Sequence, residues 1–371
     1  MRVAAVELRK LIMPLVQPFR GALGTETDRE VVLVHVLGAD GEGWGECSAL
    51  SAPLYSPEYA DGALAVLHQH LLPMLARRVK EPTAVDVAPA LAPVKGHPMA
   101  KAALEMALLD AELRARGQSL AAHLGAAHGS VPSGVAVGIT GSVAELLDTV
   151  AGYVHQGYGR VKLKIEPGWD IEPVRAVRER FGDGLALQVD ANGSYSLADL
   201  PHLTHLDDFG LLLVEQPLPE YDLTGHAELA RHLRTPICLD EPITSARAAA
   251  DAISLGACRV VNIKAGRMGG YLEARRAHDT CSARGVPVWC GGMLETGLAR
   301  AANLALAALP GFTLPGDVSA SDRYWSQDIT EPFTLGPGGR LRVPTGPGLG
   351  VSPLPDVLKE RTIALVHFPW A

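Results

Sequence analysis

Between Val131 and Asp317 the sequence alternates short apolar runs with amphipathic stretches, as in RVKLKI followed by IEPVRAVRERFG. Apolar strands that alternate with helices are typical of a parallel sheet covered by helices on both faces. Eight candidate strands fall between Ser133 and Asp317, the number that closes a (β/α) barrel. Since a typical barrel needs about 250 residues, the shorter span predicts tight loops and a missing last helix. The pattern therefore predicts an α/β fold with a (β/α)7β barrel of the TIM type.

The chain before and after this region has a different pattern. Two N-terminal segments have patterns typical of strands: VAAVEL and REVVLVHVLGADGEGWGEC, the second with Asp40-Gly41 as a hairpin turn. Helical patterns follow, in which apolar residues recur every three or four positions. We therefore predict an α+β domain at 1–125, the barrel at 126–320 and, at 321–371, a Pro- and Gly-rich segment that wraps back over a neighbour.

Composition narrows the possible partners and compartments. The net charge of −8 and pI near 5.9 argue against nucleic acid, whose partners concentrate Lys and Arg on one face. A small solute is expected instead. Five cysteines without a C-x-x-C pair predict neither a disulfide framework nor a zinc site. Because Glu7, Arg9 and Lys10 interrupt the apolar N-terminus, we expect no signal peptide, no membrane span and a cytoplasmic location.

Ionisable residues recur at the ends of the predicted strands. Their separations of 26, 25, 25 and 24 residues each match one βα unit, and they are Lys164, Asp190, Glu215, Asp240 and Lys264. In a barrel the C-terminal ends of successive strands converge on one mouth, where barrel active sites lie. Five groups that are distant in sequence are therefore predicted to meet.

The three carboxylates predict a bound cation. Like charges at a site of low dielectric raise each other's pKa, so all three cannot stay ionised without added positive charge. Oxygen ligands without Cys or His favour a hard ion, Mg²⁺ first and Mn²⁺ next, with Co²⁺ able to substitute. The alternative is that each carboxylate caps the following helix or pairs with a surface Arg. Their common spacing favours the metal.

The two lysines of this set lie on the second and sixth predicted strands and so face each other across the barrel. Opposed amines indicate two bases. A lysine, whose usual pKa is about 10.4, acts as a base near neutral pH only if burial or nearby positive charge lowers that pKa. Lys162 shares a strand face with Lys164 and, with the metal, supplies this charge; it can also bind a substrate carboxylate. In the alternative interpretation the lysines only neutralise the acids.

At these motifs the sequence resembles the enolase superfamily, in its muconate-lactonising branch. The likeness covers nearly the whole chain and is greatest to the N-acylamino acid racemase and o-succinylbenzoate synthase family. It rests on K-x-K at 162–164, V-D-A-N at 189–192, V-E-Q-P at 214–217, L-D-E at 239–241 and N-I-K at 262–264. The resemblance implies that the α+β domain caps the barrel and that the C-terminal segment wraps back onto this capping domain.

The resemblance also implies a reaction. A proton α to a carboxylate is removed and the resulting enediolate is held on the metal, with Asp190, Glu215 and Asp240 as ligands. Lys164 and Lys264 correspond to the acid/base pair of a racemase. For the synthase, which belongs to menaquinone biosynthesis, Lys164 would be the base and Lys264 a cation that stabilises the anion. A small-molecule carboxylate substrate and a homo-oligomer are implied as well.

Further residues are expected around the substrate or supporting the site. The capping-domain loops around Phe19 and around Leu50 to Tyr55 match segments that close over the pocket. Gly291 and Gly292 end the seventh strand, where a ligand can approach the backbone; a tight turn is the alternative explanation. The full set is Lys162, Asn192, Phe19, Leu50, Tyr55, Ala136, Gly292, Met293, Glu241 and Arg267.

Three of these residues carry specific expectations. Strand alternation predicts that Glu241 points away from Asp240. Arg267 either biases the pKa of Lys264 or forms a plain surface salt bridge. Ala136 stands where similar proteins often carry Ser, which removes a possible hydrogen bond to an acyl group.

Other functions remain open at this level. The sequence contains no G-K-[ST], no G-x-S-x-G and no H-E-x-x-H, which disfavours phosphate-loop, α/β-hydrolase and zinc-protease chemistry. Within the same fold, dipeptide epimerisation and muconate cycloisomerisation are alternatives. A non-catalytic metal-binding relative is the alternative outside enzymes, and it would tolerate the loss of a lysine.

Overall fold

The computed structural model describes residues 2–370. Met1, the first residue of the predicted first domain, and Ala371, the last residue of the predicted C-terminal segment, lie outside the described residues. Within residues 2–370 the strands form a four-stranded, a seven-stranded and a two-stranded sheet. None of the helices formed by these residues is both long enough and apolar enough to span a bilayer.

The capping domain is an antiparallel sheet covered by helices. Its elements are β1 (Val3–Gly21), β2 (Gly24–Gly38), β3 (Gly41–Cys47), α1 (Ala60–Val66), α2 (Leu72–Arg78), α3 (Ala84–Leu91), α4 (Pro98–Ala115) and α5 (Leu120–Leu124). The predicted hairpin is confirmed, but its two-residue turn is Ala39 and Asp40 and not Asp40-Gly41, since Gly38 pairs with Gly41. α4 packs directly on β3, where a Cβ on Gly45 would lie 1.9 Å from the carbonyl oxygen of Ala103. This close approach requires glycine at position 45.

The barrel strands lie side by side in chain order. After β4 (Ser130–Pro132) come β5 (Gly134–Val137), β6 (Arg160–Lys164), β7 (Ala186–Asp190), β8 (Val214–Glu215), β9 (Ile237–Leu239), β10 (Val260–Ile263) and β11 (Val288–Cys290). Neighbouring barrel strands pair in parallel. The helices between and after them are α6 (Val143–Gln156), α7 (Ile171–Phe181), α8 (Leu200–Leu203), α9 (Leu223–His232), α10 (Ala246–Ser254), α11 (Tyr271–Ser282) and α12 (Gly297–Ala307). The predicted fold class is confirmed.

The eighth predicted strand, FTLPGD, is not a regular strand. Pro315 has no backbone N–H to donate to a ladder, and the segment makes isolated bridges instead. Gly316 O accepts a hydrogen bond from Gly134 N at 2.8 Å, and Asp317 N donates to Cys290 O at 2.9 Å. The segment thereby joins β5 to β11 and completes the ring.

The C-terminal chain returns to the first strand of the protein. β12 (Arg340–Arg342) pairs with β4, and α13 (Pro355–Arg361) leads into β13 (Thr362–Pro369). β13 runs antiparallel to β1, with Ala5 opposite Pro369. The domain boundaries at 125 and 320 stay predictions.

Two buried carboxylates of the capping domain bind the N-termini of barrel helices. Glu46 on β3 accepts hydrogen bonds from Thr296 N at 2.9 Å, Thr296 Oγ1 at 2.6 Å and Ala299 N at 3.1 Å, at the start of α12. Glu105 on α4 accepts from Leu272 N at 3.1 Å, at the start of α11. Carboxylates satisfy the free N–H groups of a helix start, so these contacts hold the two domains together.

Candidate active site

The five ionisable residues stand where the barrel strands end, as their spacing predicted. Lys164, Asp190 and Glu215 are the last residues of β6, β7 and β8. Asp240 and Lys264 directly follow β9 and β10. Lys164 pairs with Asp190 in the sheet, and Asp190 pairs with Glu215. These side chains therefore start from one end of the barrel.

Helix capping does not explain the carboxylates. α9, which follows Glu215, is capped by the side chain of Asp222, which accepts from Gly225 N. α10, which follows Asp240, is capped by Ser245. The carboxylates at the strand ends are instead paired with amines inside the barrel mouth.

Lys162 and Lys164 point to the same side of β6, as strand alternation predicted. Their ammonium groups lie 3.2 and 2.6 Å from Asp190 Oδ2. Lys162 also lies 3.0 Å from Glu215 Oε2 and 2.5 Å from Asp317 Oδ2. Burial lowers the pKa of Lys162, but the three carboxylates outweigh burial and raise the pKa well above its usual value. Lys162 is thus a fixed cation within the carboxylate cluster.

Lys264 is buried four strands away from Lys164, which is the opposite side of an eight-membered ring. Its Nζ lies 2.8 Å from Asp240 Oδ2 and 3.2 Å from the Tyr55 hydroxyl oxygen. Burial lowers the pKa of Lys264, but Asp240, together with Tyr55 and Glu215, outweighs burial and raises the pKa above its usual value. The nearest charged neighbour of Lys264 is a carboxylate and not a cation; the lowered lysine pKa expected from Lys162 and a bound metal stays a prediction.

Arg267 completes the surroundings of Lys264. It is 4 % exposed and forms an ion pair with Asp240, so the expected surface salt bridge is wrong. The guanidinium is held inward by bonds to the carbonyl oxygens of Ile243 and Asn262, at 3.0 and 2.9 Å. Its Nη1 lies 2.8 Å from the Tyr55 hydroxyl oxygen. A capping-domain side chain therefore contacts a cluster built on the barrel.

The carboxylates are buried and unequally neutralised. Burial, followed by repulsion from Asp190, raises the pKa of Glu215 to about 8. For Asp190 and Asp240 burial acts in the same direction, but Lys164 and Arg267 respectively lead the opposing interactions, and both pKa values are lowered. Among residues 2–370 no three His, Cys, Asp or Glu side chains are spaced to hold a metal ion, and ammonium groups lie between the carboxylates. The carboxylate oxygens are nevertheless the type of donor that a hard divalent cation prefers, and such a cation would relieve the unfavourable charge on Glu215.

Asn192 connects Lys164 to Glu241. Its Oδ1 accepts from Lys164 Nζ at 2.5 Å, and its Nδ2 donates to Glu241 Oε1 at 2.9 Å. The prediction that Glu241 points away from Asp240 stays a prediction, but strand alternation does not support it, because β9 ends at Leu239. Glu241 is 8 % exposed, and burial, followed by Asp240, raises its pKa to about 7.

The lysines open onto one cavity of about 110 Å³. Its wall combines the barrel mouth with two capping-domain segments, and includes eight of the ten predicted contact residues. The lining residues are Lys162, Lys164, Asn192, Lys264, Phe19, Gly21, Leu23, Gly24, Glu26, Leu50, Leu54, Tyr55, Ala136, Gly292, Met293, Leu294, Asp317 and Tyr324. Glu241 and Arg267, the other two predicted residues, lie behind this wall.

Gly291 makes room for a lysine. A Cβ at this position would lie 2.3 Å from Asn262 Oδ1 and 2.6 Å from Lys264 Cε. Backbone φ at Gly291 is outside the left-handed region, so conformational freedom is not the reason for glycine. The reason is space for the side chains of Asn262 and Lys264, which neither sequence-based explanation included.

Asp317 is a further carboxylate of the site, with a side chain that is 8 % exposed, and the sequence reasoning missed it. It bridges Lys162 and Arg160, and its Oδ1 lies 2.7 Å from Arg160 Nη1. Arg160 is fully buried, with its guanidinium 5.4 Å from the centre of the Trp289 ring. Its position in the sequence could have identified it, because Asp317 ends the eighth apolar run just as the other acids end theirs.

The strands form a parallel ring with acids and amines at its C-terminal mouth, and an α+β domain covers this mouth. This arrangement defines a barrel enzyme whose site lies between two domains. Residues 4–125 match the family described as mandelate racemase / muconate lactonizing enzyme, N-terminal domain, and residues 145–357 match the enolase C-terminal domain-like family. The chain therefore belongs to the mandelate racemase / muconate lactonizing enzyme family of the enolase superfamily.

Similar proteins agree with this assignment. An N-succinylamino acid racemase from Amycolatopsis is 63% identical over 366 residues, 99% of each chain. An o-succinylbenzoate synthase from Geobacillus stearothermophilus is 47% identical over 93% of this chain and 92% of its own. A solved enolase superfamily structure from Listeria innocua has a TM-score of 0.95 at 38% identity, covering 100% of both chains. The predicted superfamily and the prediction of an enzyme are confirmed.

Proposed function

We propose that the protein is an N-succinylamino acid racemase. The observation that carries this proposal is the pair Lys164 and Lys264, which line one cavity from opposite sides of the barrel. Racemisation needs one group to remove a proton from one face of the reacting carbon and another to return a proton to the other face. Two amines on opposite walls meet that requirement.

We assign Asp190, Glu215 and Asp240 as ligands of a divalent cation, Mg²⁺ with Mn²⁺ or Co²⁺ as substitutes. Support comes from their burial, their oxygen donors and the raised pKa of Glu215. When bound, the cation would supply positive charge that stabilises the developing dianion, worth several kcal/mol. A cation held by Asp240 would also weaken the pull of this carboxylate on the proton of Lys264.

The side chains have different roles in the proposed reaction. Lys164 takes the α-proton of one enantiomer, and Lys264 delivers a proton to the opposite face; the roles reverse for the other enantiomer. Lys162 stays protonated beside Asp317 and holds the substrate carboxylate by charge. Tyr55 and Phe19, from the capping domain, close the cavity and exclude water.

The substrate assignment rests on the cavity wall and on the relatives. Capping-domain leucines and the segment after β11 present apolar surface, which suits an amino-acid side chain or an acyl chain; they are Leu23, Leu50, Leu54, Met293 and Leu294. The Amycolatopsis relative bears the name of this activity at 63% identity. We propose the same activity for this chain. We also propose that its partner is a small-molecule carboxylate, that it is cytoplasmic and that it assembles as a homo-oligomer.

o-Succinylbenzoate synthase is the second candidate. The synthase relative at 47% identity favours it, and the same lysines suffice, with Lys164 as base and Lys264 as a stabilising cation. The specificity constants for an N-succinyl amino acid and for the synthase's cyclohexadiene substrate decide between the two activities. Turnover of a dipeptide or a muconate alone would move the assignment to an epimerase or a cycloisomerase.

The acid/base assignment is tested by Lys164→Ala. We expect this variant to lose racemisation, and exchange of the α-proton from one enantiomer, while keeping its fold and its affinity for Mn²⁺. Lys359→Ala, at an exposed position of α13, is the matched control and should behave as wild type. Undiminished exchange in Lys164→Ala refutes the assignment, and no exchange in the wild type indicates a non-catalytic relative.

A further inference from the structure

We infer that Glu241 is a positioning residue for Lys164 but not for Lys264, and that it acts through Asn192. Glu241 thereby governs proton exchange at one face of the substrate. The inference rests on the proposed function, because it concerns the two lysines as acid/base groups. Glu241 itself lies behind the cavity wall and does not line the cavity.

The hydrogen bonds have a defined direction. In its ammonium form Lys164 Nζ offers only donors, so it requires the carbonyl end of the Asn192 amide, and it reaches Oδ1 at 2.5 Å. The other end of the amide, Nδ2, donates to Glu241 Oε1 at 2.9 Å. An acceptor oxygen at Glu241 thus selects the amide orientation that presents Oδ1 to Lys164. Without this acceptor the amide can turn and present its NH₂ group, which repels the ammonium.

The backbone of Asn192 adds to this arrangement. Its φ of 44° lies in the left-handed region, which few residues other than glycine and asparagine adopt readily. Its N–H donates to Asp190 Oδ1 at 3.0 Å. The side chain therefore projects from a constrained position, and rotation of the amide is the main freedom left for Glu241 to remove.

The remaining partners of Lys164 make Asn192 important. Asp190 lies 2.6 Å from Lys164 Nζ, but it also contacts Lys162 and is a proposed metal ligand. Asn192 has no such competing role. We therefore assign it the main part in directing Lys164 toward the substrate when Asp190 is engaged elsewhere.

Lys264 has a separate set of partners. Its Nζ contacts Asp240 at 2.8 Å and the Tyr55 hydroxyl at 3.2 Å, and neither belongs to the Asn192–Glu241 connection. Glu241 does interact with Lys264 at longer range through charge. A test must therefore separate the hydrogen-bond acceptor from the charge.

Glu241→Met and Glu241→Gln form the matched pair. Both remove the negative charge, but only the Gln variant keeps an oxygen that can accept from Asn192 Nδ2. The rates of deuterium incorporation into N-succinyl-D-phenylalanine and N-succinyl-L-phenylalanine are measured by proton NMR, in D₂O with Mg²⁺. Lys164→Ala identifies the enantiomer that Lys164 serves. We expect Glu241→Met to exchange that enantiomer about tenfold more slowly than Glu241→Gln, with the other enantiomer changed less than about twofold.

A double-mutant cycle tests the route through Asn192. Asn192→Gly removes the amide and tolerates the positive φ, and it should slow the same enantiomer. Adding Glu241→Met to Asn192→Gly should then cause no further selective loss, because the two residues act as one unit. If Glu241→Met does not fold, Asn192→Gly and its combination with Glu241→Gln carry the same test.

Failure of the positioning role can be distinguished from failure of the racemase assignment. Equal loss for both enantiomers in Glu241→Met, or additive effects in the cycle, overturns the positioning role while the racemase assignment stands. No deuterium incorporation by the wild type with either enantiomer overturns both. A change in thermal stability alone, with an unchanged ratio of the two exchange rates, also contradicts the positioning role.

Discussion

Lys264 Nζ lies 2.8 Å from Asp240 Oδ2, so a proposed acid/base group and a proposed metal ligand neutralise each other. Lys164 and Asp190 form the same kind of pair at 2.6 Å. The amines and a divalent cation therefore compete for the same carboxylate oxygens. Metal binding is expected to change the protonation of the bases as well as the charge at the ligands.

Chelation of divalent metal is expected to abolish α-proton exchange and leave the protein folded. The fold survives because Lys162, Lys164 and Lys264 neutralise the carboxylates, so the melting temperature should fall by only about 2–4 °C, equivalent to roughly 1 kcal/mol. Circular dichroism melts and exchange assays with EDTA, and after added Mg²⁺ or Mn²⁺, provide the measurement. Full turnover in metal-free buffer, or unfolding on chelation, contradicts this prediction.

Lys162→Met is expected to destabilise the metal-free protein more than the metal-loaded protein. The variant removes the cation that pairs with Glu215, whereas Asp190 and Asp317 keep Lys164 and Arg160. An uncompensated buried charge costs about 3–5 kcal/mol. Urea unfolding with and without Mg²⁺ measures the difference, and Mg²⁺ should restore part of the loss. Lys359→Met is the exposed control. An equal loss in both conditions would show that Lys162 does not neutralise the cluster.

Gly291→Ala is expected to slow exchange of the enantiomer that Lys264 serves by about 100-fold, because the new Cβ displaces the lysine. Overpacking should also cost about 1–3 kcal/mol of unfolding free energy. Gly152→Ala in α6 is the control: a Cβ there meets no atom within 4 Å, so stability should rise by about 0.5–1 kcal/mol. An unchanged exchange rate in Gly291→Ala would show that Lys264 can be accommodated without glycine at position 291.

Glu46 and Glu105 make stability depend on pH. Burial raises the pKa of each to about 7, from an ordinary value of 4.5. Because the folded pKa is the higher one, the folded protein binds more protons between these values, and the stabilisation is lost as pH rises through about 7. We expect each group to lower the unfolding free energy by about 1–3 kcal/mol between pH 4.5 and 8.

Glu46→Gln isolates one of these contributions. The variant cannot ionise, so its unfolding free energy in urea, measured with Mg²⁺ at several pH values, should fall less steeply than that of the wild type. Glu360→Gln, at an exposed position of α13, should follow the wild type. An unchanged pH dependence in Glu46→Gln means that the carboxyl is ionised throughout this range.

Residue spacing predicted most of the barrel and its mouth. Each βα unit is a local structure of about 25 residues, so an acid or amine at the end of each apolar run keeps its place in the fold. The same reasoning failed at Pro315, where the eighth strand lacks an N–H, and past Leu239, where β9 ends earlier than the apolar pattern indicated. Tyr55 was predicted as a contact residue, but its bond to Arg267 across the domain boundary had no local signal.

The sequence by itself determined the barrel, the capping domain and the set of acids and amines at the strand ends, because these follow from periodicities that act over one strand and one helix. Only the tertiary structure decided how those charges pair: Lys162 with Asp317, Lys264 with Asp240, and Lys164 with Asn192 and, through it, Glu241. Pairing depends on distances between segments that are far apart in sequence, such as Tyr55 and Arg267, which are 212 residues apart. Because Coulomb energies at buried sites change steeply with distance, the pKa values and the partner of each base follow from packing and not from spacing.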